Sequence, residues 1–432
     1  MVNGLSDRSE VVFDDERVVV NAGIVLAVTV GRRLGIEALV DGAVKLGGRP
    51  GAARPGRKVL SLVHAMLLGA DSIDDCDVLR AGRTEAVLGH RPMAPSTLGT
   101  FLRSFTFGHV RQLDRVLAEA LKRAWRAGAG PGQRRLVIDI DSFVGEVHGH
   151  AKQGAGYGYS GKLGYHPLLA TRADTSEVLH VRQRKGQANT QRGALRFVDE
   201  LLARVRRAGA AGQILVRADS GFQNKKVLAR LRERGALYSI GVTMQRHVTA
   251  RIAQIPDEAW RPVPDYPDTG VCELAETTLG GERLIVRRVH LHAQDDQTEL
   301  FAYWRHHAFV TNRTETIHEV DAEHRQHAQV KQVIRDLKDQ ALAHFPSGHY
   351  SANSAWTVIA CLAHNLQRWT AQLGLTDPTP RAAATLRRRL FALPGRLTRT
   401  ARRWTLHLPA RWPWQQDFIE ALTRIRALPA CA

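Results

Sequence analysis

The stretch LVIDID, residues 136–141, is a β-branched apolar run that ends on acids. In an extended strand, residues two apart point to the same face, so Asp139 and Asp141 project together. A second run of the same kind, QILVRADSGF (213–222), reaches Asp219 where its apolar residues stop. EVLHVRQRKG, lying between them, reads as a strand, and GALRFVDELLARVRRAG and KKVLARLRERG read as helices. Strand, helix, strand, helix predicts an α/β core with some parallel pairing.

The pattern changes on both sides of this core. Residues 15–50, the segment PGRKVLSLVHAMLLGADSIDD and the run from MAPSTLGTF to Trp125 repeat apolar residues at helical spacing, with Pro95-Ser96 as a helix start. They predict an all-helical region over residues 1–128, closed by the linker GAGPGQ (128–133). From 236 to 312 the chain reads as short strands, in ALYSIGVTM, RLIVRRVHL and LFAYWRHHAFVTN. Helical periodicity returns near 315 and runs through SANSAWTVIACLAHNLQRWTAQLG. The tail after Pro378 has no acid between Arg381 and Ala410, which suits either a nucleic-acid-contacting arm or a disordered end.

The chain has 432 residues, with 61 Lys and Arg against 42 Asp and Glu, a formal net charge of +19. Such an excess points to a polyanionic partner, nucleic acid first and a membrane surface second. The membrane is disfavoured because no apolar run reaches the roughly 18 residues a spanning helix needs. The N-terminus MVNGLSDRSE lacks the basic-then-apolar order of a signal peptide, so the expected location is cytoplasmic. Cys76, Cys272, Cys361 and Cys431 are scattered, which excludes disulfide and zinc frameworks and predicts reduced thiols.

In α/β sheets, ligands gather at the carboxyl ends of strands. Acids converging there from two strands suit Mg²⁺ or Mn²⁺. Two such ions, about 3.5–4 Å apart, can stabilise the attacking and leaving oxygens of a phosphodiester displacement. A second reading stays open at this point, in which the acids end their strands by bonding nearby backbone. Downstream, HRQHAQVKQVIRDLK (324–338) spaces His324, His327, Lys331, Arg335 and Lys338 by 3, 4, 4 and 3 positions. That spacing predicts one basic stripe on a continuous helix, beside an apolar stripe of Val330, Val333, Ile334 and Leu337.

DIDS (139–142), RADSGF (217–222) and the spaced helix 324–338 together resemble the DDE transposases of bacterial insertion sequences, in the branch with a Tyr-Arg-Glu-Lys helix signature. GYHPLLA (164–170), the TN of FVTN (309–312), FPSGHYSANSAW (345–356) and LAHNL (362–366) resemble the same group, and the likeness covers most of 60–370. The resemblance implies an α/β ribonuclease-H-like catalytic core with a mostly β insertion, preceded by an all-helical N-terminal DNA-binding region. The implied division is 1–128, helical; 134–235, first part of the core; 236–312, insertion; 313–375, helical second part; and 376–432, basic tail. It implies metal-dependent cleavage of element ends and strand transfer, with two Mg²⁺ or Mn²⁺ ions, Asp141 bridging them and Asp219 binding one. Asp139 is the runner-up for the first acid. The implied partners are the terminal inverted repeats and target DNA, bound by a homodimer at the bacterial nucleoid.

Lys338 keeps the signature's last residue, whereas His324, His327 and Lys331 stand at its Tyr, Arg and Glu positions. A charged ammonium at 331 cannot ligate a cation. Asp336 lies roughly 140° around a regular helix from Lys331, and Glu323 is more than two turns away, so neither substitutes. His327, Lys331 and Lys338 therefore read as DNA contacts. Two alternatives follow: an inactivated relative that binds ends without cutting, and a metal-dependent nuclease with an acid from elsewhere. The Gly-rich segment 149–167, with its Tyr and Lys residues, is expected to approach DNA, and Trp404, Trp412 and Trp414 to pack on the body.

Overall fold

The structure, a computed structural model, describes residues 9–149, 151–158, 161–264, 266, 270–291 and 304–431. Apolar residues at helical spacing build α1 (Val25–Arg33), α2 (Ile36–Ala43), α3 (Pro55–Leu67), α4 (Pro95–Arg103) and α5 (Phe107–Ala124). Proline opens α3 and α4, where its missing N–H leaves no bond unmade. The expectation of helices alone before 128 needs one correction. Val18–Val19 is a short strand paired antiparallel with Gly395–Thr400, which pairs in turn with Arg403–His407. The basic tail is accordingly folded against the N-terminal region.

A nine-stranded mixed sheet forms the centre of the molecule. Its strands are β1 (Leu136–Ser142), β2 (Leu168–Arg172), β3 (Val178–Arg182), β4 (Ile214–Ala218), β5 (Leu237–Gly241), β6 (Arg261–Pro262), β7 (Gly270–Leu279), β8 (Glu282–Leu291) and β9 (Trp304–Thr311). The order across the sheet is β6-β7-β8-β9-β5-β4-β1-β2-β3. β1, β4 and β5 run parallel, and every other neighbouring pair is antiparallel. Ile138, Ile140, Leu215 and Val216 are all buried, as expected for strands covered on both faces. Two helices, α6 (Ala194–Ala208) and α7 (Lys225–Glu233), link β3 to β4 and β4 to β5. The segment 236–312 does not make a separate sheet: β5 lies in its parallel part, and β6 to β9 extend the same sheet beyond it.

The stretch 324–338 is not one helix. α8 (Ile317–Arg325) ends in a 3₁₀ turn, Gln326–Ala328, before α9 (Gln329–Lys338) begins. α10 (Tyr350–Gly374) then runs through the interior, buried over most of its length against α1, α3, α4, α5 and β3. α11 (Gln415–Ala427) lies on α10 and buries Phe418, Ala421 and Ile425. One hydrophobic cluster thus joins the N-terminal helices, the sheet and the tail.

Two motif asparagines hold strand edges by pairing with exposed backbone. Asn365 on α10 accepts from the Val178 N–H at 2.7 Å and donates to the Val178 carbonyl at 2.8 Å. Asn312 likewise accepts from the Tyr238 N–H at 2.8 Å and donates to the Ala236 carbonyl at 3.1 Å.

Candidate active site

Register brings the acids together. Ile140 is the partner of Ala218 in the parallel β1–β4 pair, so Asp141 and Asp219, one residue further on each strand, stand side by side at the carboxyl ends. Asp141 accepts from the Ser142 N–H at 2.7 Å, and Asp219 accepts from the Gly221 N–H at 3.1 Å as the cap of a short turn. Burial, followed by the charge of Asp219, pushes the Asp141 carboxyl up to about 6. Burial also raises Asp219. His327 and Lys331 act on both acids in the opposite direction, lowering them.

Asp139 has a different fate. It lies opposite Arg217 in the same register and is fully buried, with bonds of 2.7 and 2.8 Å from the Arg217 guanidinium to its two oxygens. Arg217 also donates to the Glu323 carbonyl on α8. The bidentate, desolvated pair occupies both Asp139 oxygens with one guanidinium bond each. Asp139, the runner-up first acid, is thus engaged by Arg217, and the pair ties β1 to β4 and to the helix above them.

The 3₁₀ turn splits the expected basic stripe. Each residue of such a turn rotates about 120° in place of about 100°, so three of them advance α9 by roughly 60°. His324 faces inward, stacked on Phe309 at 4.0 Å, with Nδ1 2.7 Å from the Ser239 hydroxyl. Burial pushes it down to about 3, so it is neutral and faces no phosphate. His327 Nε2 donates to the Ile140 carbonyl at 3.1 Å, next to Asp141. Lys331 is exposed, and Lys338 is half-buried with its ammonium 5.7 Å from the Phe143 ring. Arg287 on β8 anchors α8 through Asp321 at 2.6 Å, so the β-rich segment helps to hold this helix over the acids.

The acids that flank Lys331 are engaged elsewhere. Asp336 is buried against Arg368 at 2.7 Å and receives the Gln332 amide at 3.0 Å. Glu323 is bound by Arg135 at 2.6 Å and Arg313 at 2.7 Å. Among the described residues, no group of three His, Cys, Asp or Glu side chains comes together to hold a metal. Two carboxylates without a third acid do not make the donor set of a two-ion site.

Around the acids, the Gly-rich segment contributes Gly156–Tyr157 and Leu163–Tyr165 to a small sheet with Gly145–Glu146. Tyr165 is buried, donates to the Gln153 carbonyl at 3.1 Å and packs on Phe345, whereas Tyr157 is exposed. Tyr159 and His150 lie outside the described residues. His166 bridges Ser142, at 3.0 Å, to the Ala188 carbonyl, at 2.5 Å. The strand expected over EVLHVRQRKG ends at Arg182, and residues 183–193 form a loop that contains Ala188. Its only signal is RQRKGQANTQRG (182–193), a basic run without an acid directly ahead of a helix. In the tail, Trp412 donates to the Arg389 carbonyl at 3.1 Å and meets Trp414 edge-on, while Trp404 stays half-exposed between Arg83 and Arg399.

The family model for the transposase DDE domain, group 1, matches residues 4–430. The chain belongs to this DDE transposase family. Its family function is DNA transposition, a phosphoryl transfer on DNA for which members generally use divalent metal ions. Comparison with curated proteins finds no match. Among solved structures, the piggyBac transposase synaptic complex with hairpin DNA is similar at a TM-score of 0.47 and 13% identity, covering 87% of this chain and 80% of that one. No helix among the described residues of this transposase is long and apolar enough to cross a membrane.

Proposed function

We propose that this transposase keeps the DNA-handling body of its family and has lost the third metal-binding group, so that it occupies element ends without cutting them. The observation that carries this is Lys331. By the resemblance of 324–338 to the family's helix signature it takes the place of the third acid, and its charge acts on both Asp141 and Asp219. An ammonium there supplies the pair with a fixed positive charge and repels the ions that a carboxylate would hold.

Further features support the reading. The order β3-β2-β1-β4-β5, antiparallel through the first three strands and parallel through β1, β4 and β5, suits a ribonuclease-H-like core. β6 to β9 would be its insertion and α8 to α10 its helical second part, with the N-terminal helices as the DNA-binding region. The net charge of +19 suits a polyanion. Terminal inverted repeats and target DNA are the proposed partners and a homodimer the proposed assembly, both carried by family resemblance. His327, Lys331 and Lys338 would face DNA.

The test is cleavage of a duplex bearing the element's terminal repeat, in Mg²⁺ or Mn²⁺, by the native chain and by Lys331→Glu. Both are expected to bind and only the variant to nick. Metal-dependent nicking by the native chain contradicts the proposal.

A further inference from the structure

We infer that a cavity beside the acid pair, between β3, the loop 183–193 and the start of α6, is a pocket for a backbone phosphate of DNA. This rests on the DNA-binding reading above. The cavity is about 290 Å³, and five basic side chains line it: Arg182, Arg184, Lys185, Arg192 and Arg196. Glu200 is the single acid among the lining residues. It is already shared by Arg182, by Arg196 at 2.9 Å and by Arg111 at 3.0 Å. That leaves nothing for the rest. Lys185 and Arg192 are exposed, and among the described residues neither pairs with a carboxylate.

Arg184 marks the site as built. It is only 8% exposed, and its guanidinium donates to the carbonyls of His166 at 2.8 Å, Asn189 at 2.7 Å, Thr190 at 3.2 Å and Arg192 at 3.0 Å. Its Nη2 has no partner, and neither has Nε2 of Gln183, which is 9% exposed on the same wall. A buried cationic N–H without an acceptor is costly, and an anion is the acceptor that removes the cost. The 15-residue helix α6 opens here with no acid in its first turn, so its N–H groups and dipole add to the attraction.

Position selects a DNA phosphate over a free anion. Arg184 holds the carbonyl of His166, whose ring reaches Ser142 beside Asp141. Thr190 of the same loop lies 3.5 Å from the Ser142 hydroxyl, and a Cβ on Gly221 would come within 2.8 Å of its methyl. The pocket is thus one loop's thickness from both acids. A strand crossing the acid pair would bring a neighbouring phosphate to it.

The test uses the full chain, an arbitrary-sequence duplex and inorganic phosphate. Lys185→Gln/Arg192→Gln removes two exposed, unpartnered charges, and circular dichroism reports that the fold is kept. The native chain is expected to broaden the ³¹P signal of inorganic phosphate and the double variant to leave it sharp. The slope of log affinity against log salt should fall by about 1 in the variant, the share of one phosphate contact. Lys185→Arg/Arg192→Lys should restore both readouts. Loss of phosphate broadening with an unchanged DNA slope would mean a free-anion site and overturn the DNA assignment. No change in either readout would overturn the pocket altogether. A native chain that ignores DNA would sink the proposed function instead, while the ³¹P readout would still judge the pocket.

Discussion

Asp139 and Asp141 share one strand and one face, yet one is a structural ion-pair partner and the other belongs to the acid pair. Removing Asp139 would leave the Arg217 guanidinium buried and uncompensated. Asp139→Asn is therefore expected to lower unfolding free energy by about 3–5 kcal/mol in urea at neutral pH. Asp141 should behave in the opposite way. Its carboxyl is raised from 3.8 to about 6, so its protonated form is favoured in the fold. That contribution is present below pH 3.8 and is lost as pH rises through about 6. Asp141→Asn should then stabilise the chain at pH 7.5 by up to about 3 kcal/mol, with most of the gain gone at pH 4. Denaturation midpoints of the two variants at both pH values check this, and equal losses at pH 7.5 would contradict it. The sequence showed that both acids point one way. It did not show the register that sets Arg217, from RADSGF, against Asp139, because register belongs to a strand pair.

At the scale of elements, the helix signature was legible in its spacing and misleading in its continuity. Periodicity cannot reveal a single 3₁₀ turn, because His324 and Lys331 remain seven residues apart whichever way the turn winds. The consequence is that His324 packs against Phe309 while Lys331 faces solvent. The turn at the second acid makes a sharper prediction. A Cβ on Gly221 would lie 2.8 Å from the Thr190 methyl and 2.9 Å from its Cβ. Gly221→Ala should therefore cost about 1–3 kcal/mol by overpacking, measured in urea. Adding Thr190→Gly should recover most of it, and no recovery would mean that the two loops do not press on each other. The phosphate pocket was hidden for a related reason: QRKG reads as the end of a strand, whereas it opens a loop whose cations converge only in the folded chain.

At the scale of the whole molecule, helical regions, the α/β core and the strand-rich segment were all visible in period changes along the chain. The joining of these parts was not. The β-rich segment shares the central sheet, α10 threads the helical regions together, and the tail closes on Val18–Val19. Long-range pairings of this sort depend on residues hundreds of positions apart and leave no local pattern. A basic tail that is folded in this way makes Phe418 part of the core, at 4% exposure. Phe418→Ala is expected to lower stability by about 3–5 kcal/mol, read from thermal or urea unfolding. A disordered tail would show no change.

The central claim is that Lys331 fills the place of a metal-binding acid. Calorimetric titration of Mn²⁺ into the native chain and into Lys331→Glu tests it most directly. The account predicts no saturable binding by the native chain and stoichiometric binding by the variant. Two Mn²⁺ ions bound per native chain with the variant's affinity would contradict it.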